Sequence, residues 1–478
     1  MTANETIHPT ASAPEIDASC RLPLLALLVG ASIWLVIGTV LALIASIRFH
    51  APPDFLAGCP LLTYGRVVAA ANDALVYGFC IPASLAVVIW VFSRLSQTVY
   101  TLPLVPVVAA HIWHLGVFVG LASILLGNST GFAWLEFPRG GSILLFVAFV
   151  LIAIPTAGSF GFRLEKTLYP SHWFLLAALL WFPWSYASAN IFLVSMPVRG
   201  VAQAVINLWF ANNLLYVWFS LVGLGIAFYF LPKLTNRPLH TYFYALYVFW
   251  TLALFGAWGG IPQGSPFPAW ITSLSSIASV LLIVPVIGVA VITAQTLCGG
   301  PKRAVPKRAA LGGPLSFIKL GLAAFVISSL FYIALACPHL SRVLEFTWFG
   351  QAQVQLQIWG FLAAVLFGAL YYILPLALGF EFKFPQFVRV HFYLLEFGVL
   401  LWVLPLAIGG YEQGANGYSL DASLNCLRIS TLGLILLLVG NLLFALNVLA
   451  LFVTWKLNLV KTIFAAVTAP LKASEVKS

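Results

Sequence analysis

The sequence predicts an all-α, polytopic membrane bundle of about twelve transmembrane helices. The chain has 478 residues, of which 62% are apolar and only 8% are charged, too little charge to cover a water-soluble protein of this length. Its apolar runs extend over about 20 residues or more, the length that crosses a bilayer as a helix. Along these runs polarity does not alternate, which favours helices over a barrel, the other structure that satisfies the backbone in lipid.

The apolar runs follow one another with short connections, so we expect one membrane domain at 22–455 between polar tails at 1–21 and 456–478. The first tail contains no apolar stretch, which argues against a cleaved signal peptide. The twelve predicted spans are 22–47, 69–93, 102–126, 142–162, 173–196, 205–231, 239–260, 271–297, 316–337, 351–378, 388–410 and 430–455.

The net charge of +10 does not indicate a nucleic-acid partner, because the basic residues follow the membrane topology. With twelve spans, 17 of the 23 lysines and arginines fall on the side of the N-terminus, including the cluster at 302–308. Basic residues concentrate on the cytoplasmic side of membrane proteins. The pattern therefore predicts that both termini are cytoplasmic and that the main non-protein partner is the lipid bilayer.

Six short motifs occur in a fixed order along the chain. They are Tyr64-Gly65-Arg66, Trp134-Leu135-Glu136-Phe137-Pro138-Arg139, Phe228-Tyr229-Phe230-Leu231-Pro232-Lys233, Trp258-Gly259-Gly260, Gly368-Ala369-Leu370-Tyr371-Tyr372-Ile373-Leu374-Pro375 and His391-Phe392-Tyr393. In this order the chain resembles subunit I of the haem–copper oxidase superfamily, closest to cbb3-type cytochrome c oxidase, over roughly residues 20–460. The resemblance implies a twelve-helix subunit of a respiratory complex in the bacterial inner membrane.

The same resemblance implies a low-spin haem b, a high-spin haem and a copper ion, held by six histidines, and electron transfer from cytochrome c subunits to oxygen. Counting from the motifs places the six ligand positions in this chain, and no position holds a histidine. The low-spin haem positions are Ala71 and Gln355, the high-spin position is Gln353, and the copper positions are Asn212, Pro262 and Gln263. Ala and Pro side chains cannot ligate, and amide oxygens are poor ligands for copper or haem iron. We therefore expect no haem, copper or other metal at these positions.

Two carboxylates lie inside predicted spans. Asp73 follows the first ligand position by two residues, and Glu396 lies about a third of the way into the eleventh span. An acid in hydrocarbon is costly, which makes each a functional candidate; a protonated acid bonded to a neighbouring helix is the alternative. We expect Asp73 to point into the bundle rather than at lipid.

Three other side chains are candidates for a redox or metal role. His111 and His114 are spaced i,i+3 on one face of the third span, so they could share a metal or contact a haem edge. Interhelical hydrogen bonds are the alternative. Tyr242 matches a tyrosine that the resembled family places beside copper, or it is a packed aromatic.

Four glutamines alternate at the start of the tenth span. By helical periodicity Gln351 and Gln355 share one face, and Gln353 and Gln357 share roughly the opposite one. These amides could fill the vacated haem space by bonding one another, or they could form a polar pocket for a quinone or water.

Three functions are compatible with these observations. The first is a non-catalytic homologue of the oxidase subunit that serves as a core or anchor of a respiratory electron-transfer complex. The second is a genuine oxygen or nitric oxide reductase with haem binding and proton pumping. The third is a proton or ion transporter that uses the intramembrane acids. The sequence leaves enzymatic activity open, because the resemblance implies it and the lost ligands argue against it.

Overall fold

The computed structural model describes residues 11–475 apart from 51–55, 57, 165–166, 240, 300–312, 418 and 420. The basic cluster at 302–308 and the first ten residues of the predicted tail thus lie outside the described residues. Throughout the described part the regular structure is helical, with no strand. The helices that correspond to the predicted spans are α1 (Arg21–His50), α2 (Tyr64–Ser96), α3 (Leu104–Leu126), α4 (Arg139–Phe162), α5 (Pro170–Ser195), α6 (Val201–Thr235), α7 (Tyr242–Gly256), α8 (Ala269–Cys298), α9 (Pro314–Ala336), α10 (Trp348–Leu378), α11 (Pro385–Ala415) and α12 (Leu424–Phe464).

The predicted all-α membrane fold is confirmed, with a difference at the seventh span. Of the described helices, eleven are long and apolar enough to cross a membrane, and α7 is shorter, with 15 residues. Its length of about 22 Å falls short of the hydrocarbon thickness of about 30 Å. The predicted span ran to residue 260, but the chain leaves the helix at Gly256 and reaches Gly260 in a left-handed conformation, with φ of 85°. Glycine adopts this conformation without strain, so Gly260 lets the chain turn just after the helix has ended.

Three helices form the centre of the bundle. In their most apolar 18-residue windows, α2, α6 and α10 are 100%, 94% and 89% buried, whereas the other long helices are 33–50% buried. A helix that is apolar on every side and buried on every side belongs to the core, and the outer helices have one face left for lipid. The six predicted ligand positions fall on these three helices, except for the two that follow α7.

Each central helix widens into a π-helical segment next to a predicted ligand position. The segments are Ala74–Cys80 in α2, Asn213–Trp218 in α6 and Leu356–Ala363 in α10, and they begin one to three residues after positions 71, 212 and 355. A π turn adds a residue to the helical turn and redirects the side chains that follow, and such turns are frequent at functional sites.

The predicted N-terminal tail contains a short helix, Ala13–Ser19, that packs on the ends of α2 and α10. Asp17 is buried there and accepts a hydrogen bond of 2.8 Å from Trp90 Nε1, while Arg94 lies 3.7 Å from the same carboxylate. This pairing of a buried acid with a cation and an indole donor closes this end of the bundle. We call the opposite end, where α1 ends and α2 begins, the far end.

Candidate functional site

The two low-spin haem positions face the same cavity. Ala71 on α2 and Gln355 on α10 both line a cavity of 360 Å³ between α1, α2, α10, α11 and α12 near the far end. Gln351 also lines this cavity. Two positions that are 284 residues apart in sequence are thus brought together, as the resemblance implies.

The wall of this cavity is mainly apolar, with a few polar side chains. Small residues of α1, such as Ala45, and leucines of α2 and α12 form much of it, and Trp348 and Trp402 contribute aromatic faces. Gln355 is 6% exposed, and its Oε1 has no hydrogen-bond partner among the described residues. Trp348 Nε1 is buried and equally without an acceptor there. A buried amide oxygen and a buried indole N–H that lack partners are costly unless something else satisfies them.

Both ends of the Asn212 carboxamide are engaged by the protein. Its Nδ2 donates to the carbonyl of Gly256 at 2.8 Å, and its Oδ1 accepts from the Tyr332 hydroxyl at 2.6 Å. Tyr332 of α9 stacks on Tyr216 of α6 with ring centroids 4.4 Å apart, and the Tyr216 hydroxyl donates to Ser329. Two buried aromatic rings therefore occupy the space beside Asn212.

The remaining copper positions, Pro262 and Gln263, lie in the turn between α7 and α8. Gln263 Nε2 donates to the hydroxyl of Ser276 and to the carbonyl of Thr272, so this side chain is directed at α8. The turn approaches α6 closely, because a Cβ added to Gly260 would collide with the side chain of Asn212. Asn212 therefore lies against the turn that carries Pro262 and Gln263, and the two amide side chains are held by hydrogen bonds to the protein.

The high-spin position is also bonded to the protein. Gln353 Nε2 donates to Ser328 Oγ of α9 at 3.2 Å, and Gln357 Nε2 donates to Ser220 Oγ of α6 at 3.3 Å. Gln353 and Gln357 therefore face α9 and α6, while Gln351 and Gln355 face the cavity. Among the described residues, Gln353 and Gln357 thus bond serines of neighbouring helices rather than the other glutamines.

The histidine pair of the third span does not converge on one point. His111 is exposed on α3 and its Nδ1 bonds the carbonyl of Val107 in its own helix. His114 packs on α1, where its Nε2 bonds the carbonyl of Leu27 at 3.2 Å and its ring lies against Gly30. His114 therefore makes a hydrogen bond between helices, which is the alternative to a metal or haem contact.

Tyr242 and Glu396 lie away from the ligand positions. Tyr242 begins α7 and is 36% exposed at the end of the bundle near Lys233. Asn212 touches the opposite end of α7, about 21 Å along the helix axis. Glu396 is half-buried on α11. The structure therefore does not bring Tyr242 to the copper positions.

Asp73 points into the bundle as expected, and it meets a second acid that sequence reasoning had treated only as part of a motif. Asp73 is fully buried, and neither of its carboxylate oxygens has a donor among the described residues. The carboxyl group of Glu136, from the turn between α3 and α4, lies in hydrogen-bonding range. When two carboxyl groups contact each other, repulsion between their negative charges favours the state in which one of them is protonated. Tyr77, whose hydroxyl donates to the carbonyl of Trp134 at 2.6 Å, and Tyr186 border this pair.

Burial raises the pKa of Glu136 to about 7, and hydrogen bonds to Asp73 and to the backbone oppose the rise. A carboxyl group with a pKa near neutrality exchanges its proton at physiological pH. In the sequence, Glu136 stands out only as an acid among the aromatic residues of the turn between α3 and α4. Composition alone does not show that this turn contacts α2.

The known proteins that this chain resembles now decide the family. The family model for cytochrome c and quinol oxidase polypeptide I matches residues 23–423. The chain belongs to this oxidase subunit I family. The resemblance stated from the motifs is thereby confirmed, and the family implies haem and copper cofactors.

Individual relatives agree with this assignment. The cbb3-type cytochrome c oxidase subunit CcoN1 of Stutzerimonas stutzeri is 24% identical over 446 residues, which cover 89% of this chain and 92% of that protein. Cytochrome c oxidase subunit 1 of Rhodobacter capsulatus is 25% identical over 287 residues, which cover 57% of this chain and 53% of that protein. The cbb3-type label thus comes from a relative that matches nearly end to end.

The fold of this oxidase subunit I homologue also matches a solved structure. A chain of a haem–copper terminal oxidase dimer solved by cryo-electron microscopy superposes with a TM-score of 0.71 over 92% of this chain and 84% of that one, at 15% identity. At this identity the likeness shows the fold alone. Together with eleven apolar helices, the family makes this chain a multi-pass bacterial membrane protein.

Proposed function

We propose that this chain is a non-catalytic homologue of the oxidase subunit I that acts as a core or anchor subunit of a respiratory electron-transfer complex. The observation that carries the proposal is that none of the six ligand positions offers a suitable donor.

The donor chemistry does not fit the cofactors that the family implies. Ala71 has no donor atom, and its opposite number Gln355 has only an amide, whereas a low-spin haem needs two strong axial ligands. Copper would meet Pro262, which has no donor, and the amide of Asn212, which is already bonded at both ends. Imidazole is the ligand that suits haem iron and copper.

Cofactor content tests this proposal directly. The chain would be purified in mild detergent and measured by pyridine haemochrome spectra and by metal analysis. We expect far less than one haem and one copper per chain. The solved haem–copper terminal oxidase, carried through the same purification, is the positive control. About one haem per chain retained on the isolated subunit would refute the proposal and favour a genuine terminal oxidase or nitric oxide reductase.

A role as a core or anchor subunit requires partners. We expect the chain to co-purify with other membrane subunits, including cytochrome c subunits, because a fold that has lost its own cofactors is useful within an assembly. Affinity purification at native expression level, with mass spectrometry, identifies them. A stable and active monomer would contradict this role.

The Asp73–Glu136 pair favours a second candidate, a proton transporter. A buried pair that shares a proton could accept and release it as the bundle changes conformation. Proton flux into liposomes that contain the chain alone would support transport, provided that Glu136→Gln abolishes the flux. The half-buried Glu396 is the matched control, and Glu396→Gln should leave the flux unchanged.

A further inference from the structure

The outward face of α3 carries one histidine among apolar side chains. The exposed residues of this helix are Leu104, Val108, His111, Leu115, Phe118 and Leu126. The neighbouring α4 presents the aliphatic side chains that suit lipid, with Ile143, Val147 and Ile154 exposed. His111 lies about 10 Å along the axis from the start of α3 at Leu104. Its imidazole is therefore exposed within the depth of the hydrocarbon.

The two ring nitrogens of His111 have different surroundings. Nδ1 lies 2.7 Å from the carbonyl oxygen of Val107, and because that oxygen can only accept, Nδ1 donates. In a neutral imidazole, the form that hydrocarbon favours, Nε2 is then an acceptor. Nε2 has no hydrogen-bond partner among the described residues. Since Nδ1 is turned back to its own helix, Nε2 lies on the other side of the exposed ring.

Lipid alone does not satisfy this acceptor. Acyl chains carry no hydrogen-bond donor, so an imidazole nitrogen that faces them pays the cost of an unsatisfied polar group. Lys and Arg avoid this cost by extending to the headgroups, but the imidazole of His111 is joined to its helix by a single methylene. Polar side chains on membrane helices are instead satisfied by hydrogen bonds to other helices.

A second copy of this chain would not supply the missing donor. Two-fold dimers place the same surface patch of both chains against each other. With the axis along the membrane normal, the two His111 rings would meet at the same depth, and two Nε2 lone pairs would face each other without a proton. A helix from a different chain, with a hydroxyl, amide or indole donor at this level, is complementary to His111.

The apolar residues around His111 provide the packing surface for such a helix. Val108 and Leu115 lie on either side of His111 along the helix, and Phe118 follows. The spacings between these four positions alternate between three and four residues, which is the pattern of a seam along which two helices pack. A single polar residue in such a seam fixes the register of the partner.

We propose that Val108, His111, Leu115 and Phe118 form a docking surface for a transmembrane helix of a different subunit, which donates a hydrogen bond to His111 Nε2. The proposal deepens the proposed function, because it names the surface and the chemistry through which a core subunit holds one partner. It rests on that function only in requiring that the chain works within an assembly.

Site-specific crosslinking in native membranes tests the proposal. Benzoylphenylalanine is introduced in place of Leu115, and the adducts formed on illumination are identified at residue level by mass spectrometry. We expect an adduct with an apolar span of another chain that carries a hydroxyl, amide or indole donor at the level of His111. His111→Leu should lower the yield of this adduct about threefold or more. His111→Gln, whose amide oxygen also accepts, should retain most of it.

Two further variants separate docking from folding. Ile277 on α8 is exposed to a similar degree as Leu115, and benzoylphenylalanine in its place should give adducts that do not depend on His111. Phe118→Ala removes part of the packing surface without touching the imidazole, and it should also lower the yield from Leu115. It replaces His111→Leu should that variant fail to fold, as judged by its melting temperature in detergent.

The outcomes distinguish this inference from the proposed function. An adduct with a second copy of this chain, with lipid alone or with a span that has no donor would overturn the inference. An adduct whose yield is unchanged in both His111→Leu and Phe118→Ala would overturn it as well. The proposed function would still stand if other membrane subunits co-purify. Stoichiometric haem on the isolated chain would refute the proposed function and leave the adduct, and with it the inference, intact.

Discussion

Replacing Glu136 with Gln should remove a pH dependence from the stability of the bundle. Burial raises the pKa of this carboxyl group to about 7 from its ordinary value of 4.5. Below pH 4.5 the folded and unfolded chains both hold the proton, so the group costs nothing. As pH rises towards 7 the unfolded chain releases its proton first, and the folded state loses stability until both forms are ionised.

The size of the effect follows from the two pKa values. A pKa of about 7 in the folded chain, against an ordinary value of 4.5, corresponds to roughly 3 kcal/mol at about 1.36 kcal/mol for each pKa unit. Glu136 is only half-buried as a residue, so solvent screening reduces this to about 2 kcal/mol. A loss of that size lowers the melting temperature of a chain of this length by about 2 °C.

Tryptophan fluorescence melts in mild detergent between pH 4.5 and 7.5 measure this effect. Other groups contribute a pH dependence of their own, so the informative quantity is the difference between the unmodified chain and Glu136→Gln at each pH. That difference should change by about 2 °C in favour of the variant as pH rises. Glu345 is the control, because burial also raises its pKa to about 7. Glu345→Gln should leave the pH dependence that comes from Glu136 unchanged. A constant difference across pH for Glu136→Gln would refute the assignment.

Three further predictions concern topology, the acid pair and the turn after α7. A periplasm-dependent reporter fused after Ser478 should be inactive, because the basic residues place this end in the cytoplasm; activity only in the periplasm would contradict the charge pattern. Asp73→Leu should impair assembly or activity, since it leaves Glu136 without its partner. If expression, assembly and every assayed activity stayed the same, Asp73 would have no functional role. Gly260→Ala should cost more stability in a thermal melt than Gly264→Ala, because both have positive φ but only the first Cβ collides with a neighbour, Asn212; equal costs would argue against the close approach.

The sequence was sufficient to predict which positions meet at the low-spin site. The motifs fix the residue positions on α2 and α10 relative to the family pattern, and a count by residue number holds even where α10 widens into its π-helical segment. Ala71 and Gln355 therefore line one cavity although they lie far apart in the chain. The same reasoning assigned Gln353 and Gln355 to different faces, because side chains two apart on a helix diverge.

Other contacts could not be predicted, because they depend on irregular segments and on the packing of other helices. Glu136 reaches Asp73 from a turn, and no helical periodicity determines where a turn directs its side chain. Tyr332 reaches Asn212 from α9, which contributes no ligand position, so counting along motifs does not identify it. The length of α7 was overestimated because apolar residues continue into the Gly-Gly turn, and hydropathy does not distinguish a helix from an apolar turn.

The low-spin position differs from the copper and high-spin positions in how the protein fills the space around it. At the copper and high-spin positions, the Tyr216–Tyr332 stack and hydrogen-bonded amides occupy the interior. At the low-spin position, 360 Å³ stays open. At the copper and high-spin positions the protein's own side chains therefore use the space and the donors, whereas at the low-spin position substitution of the ligand residues has not been accompanied by side chains that fill the space beside Ala71.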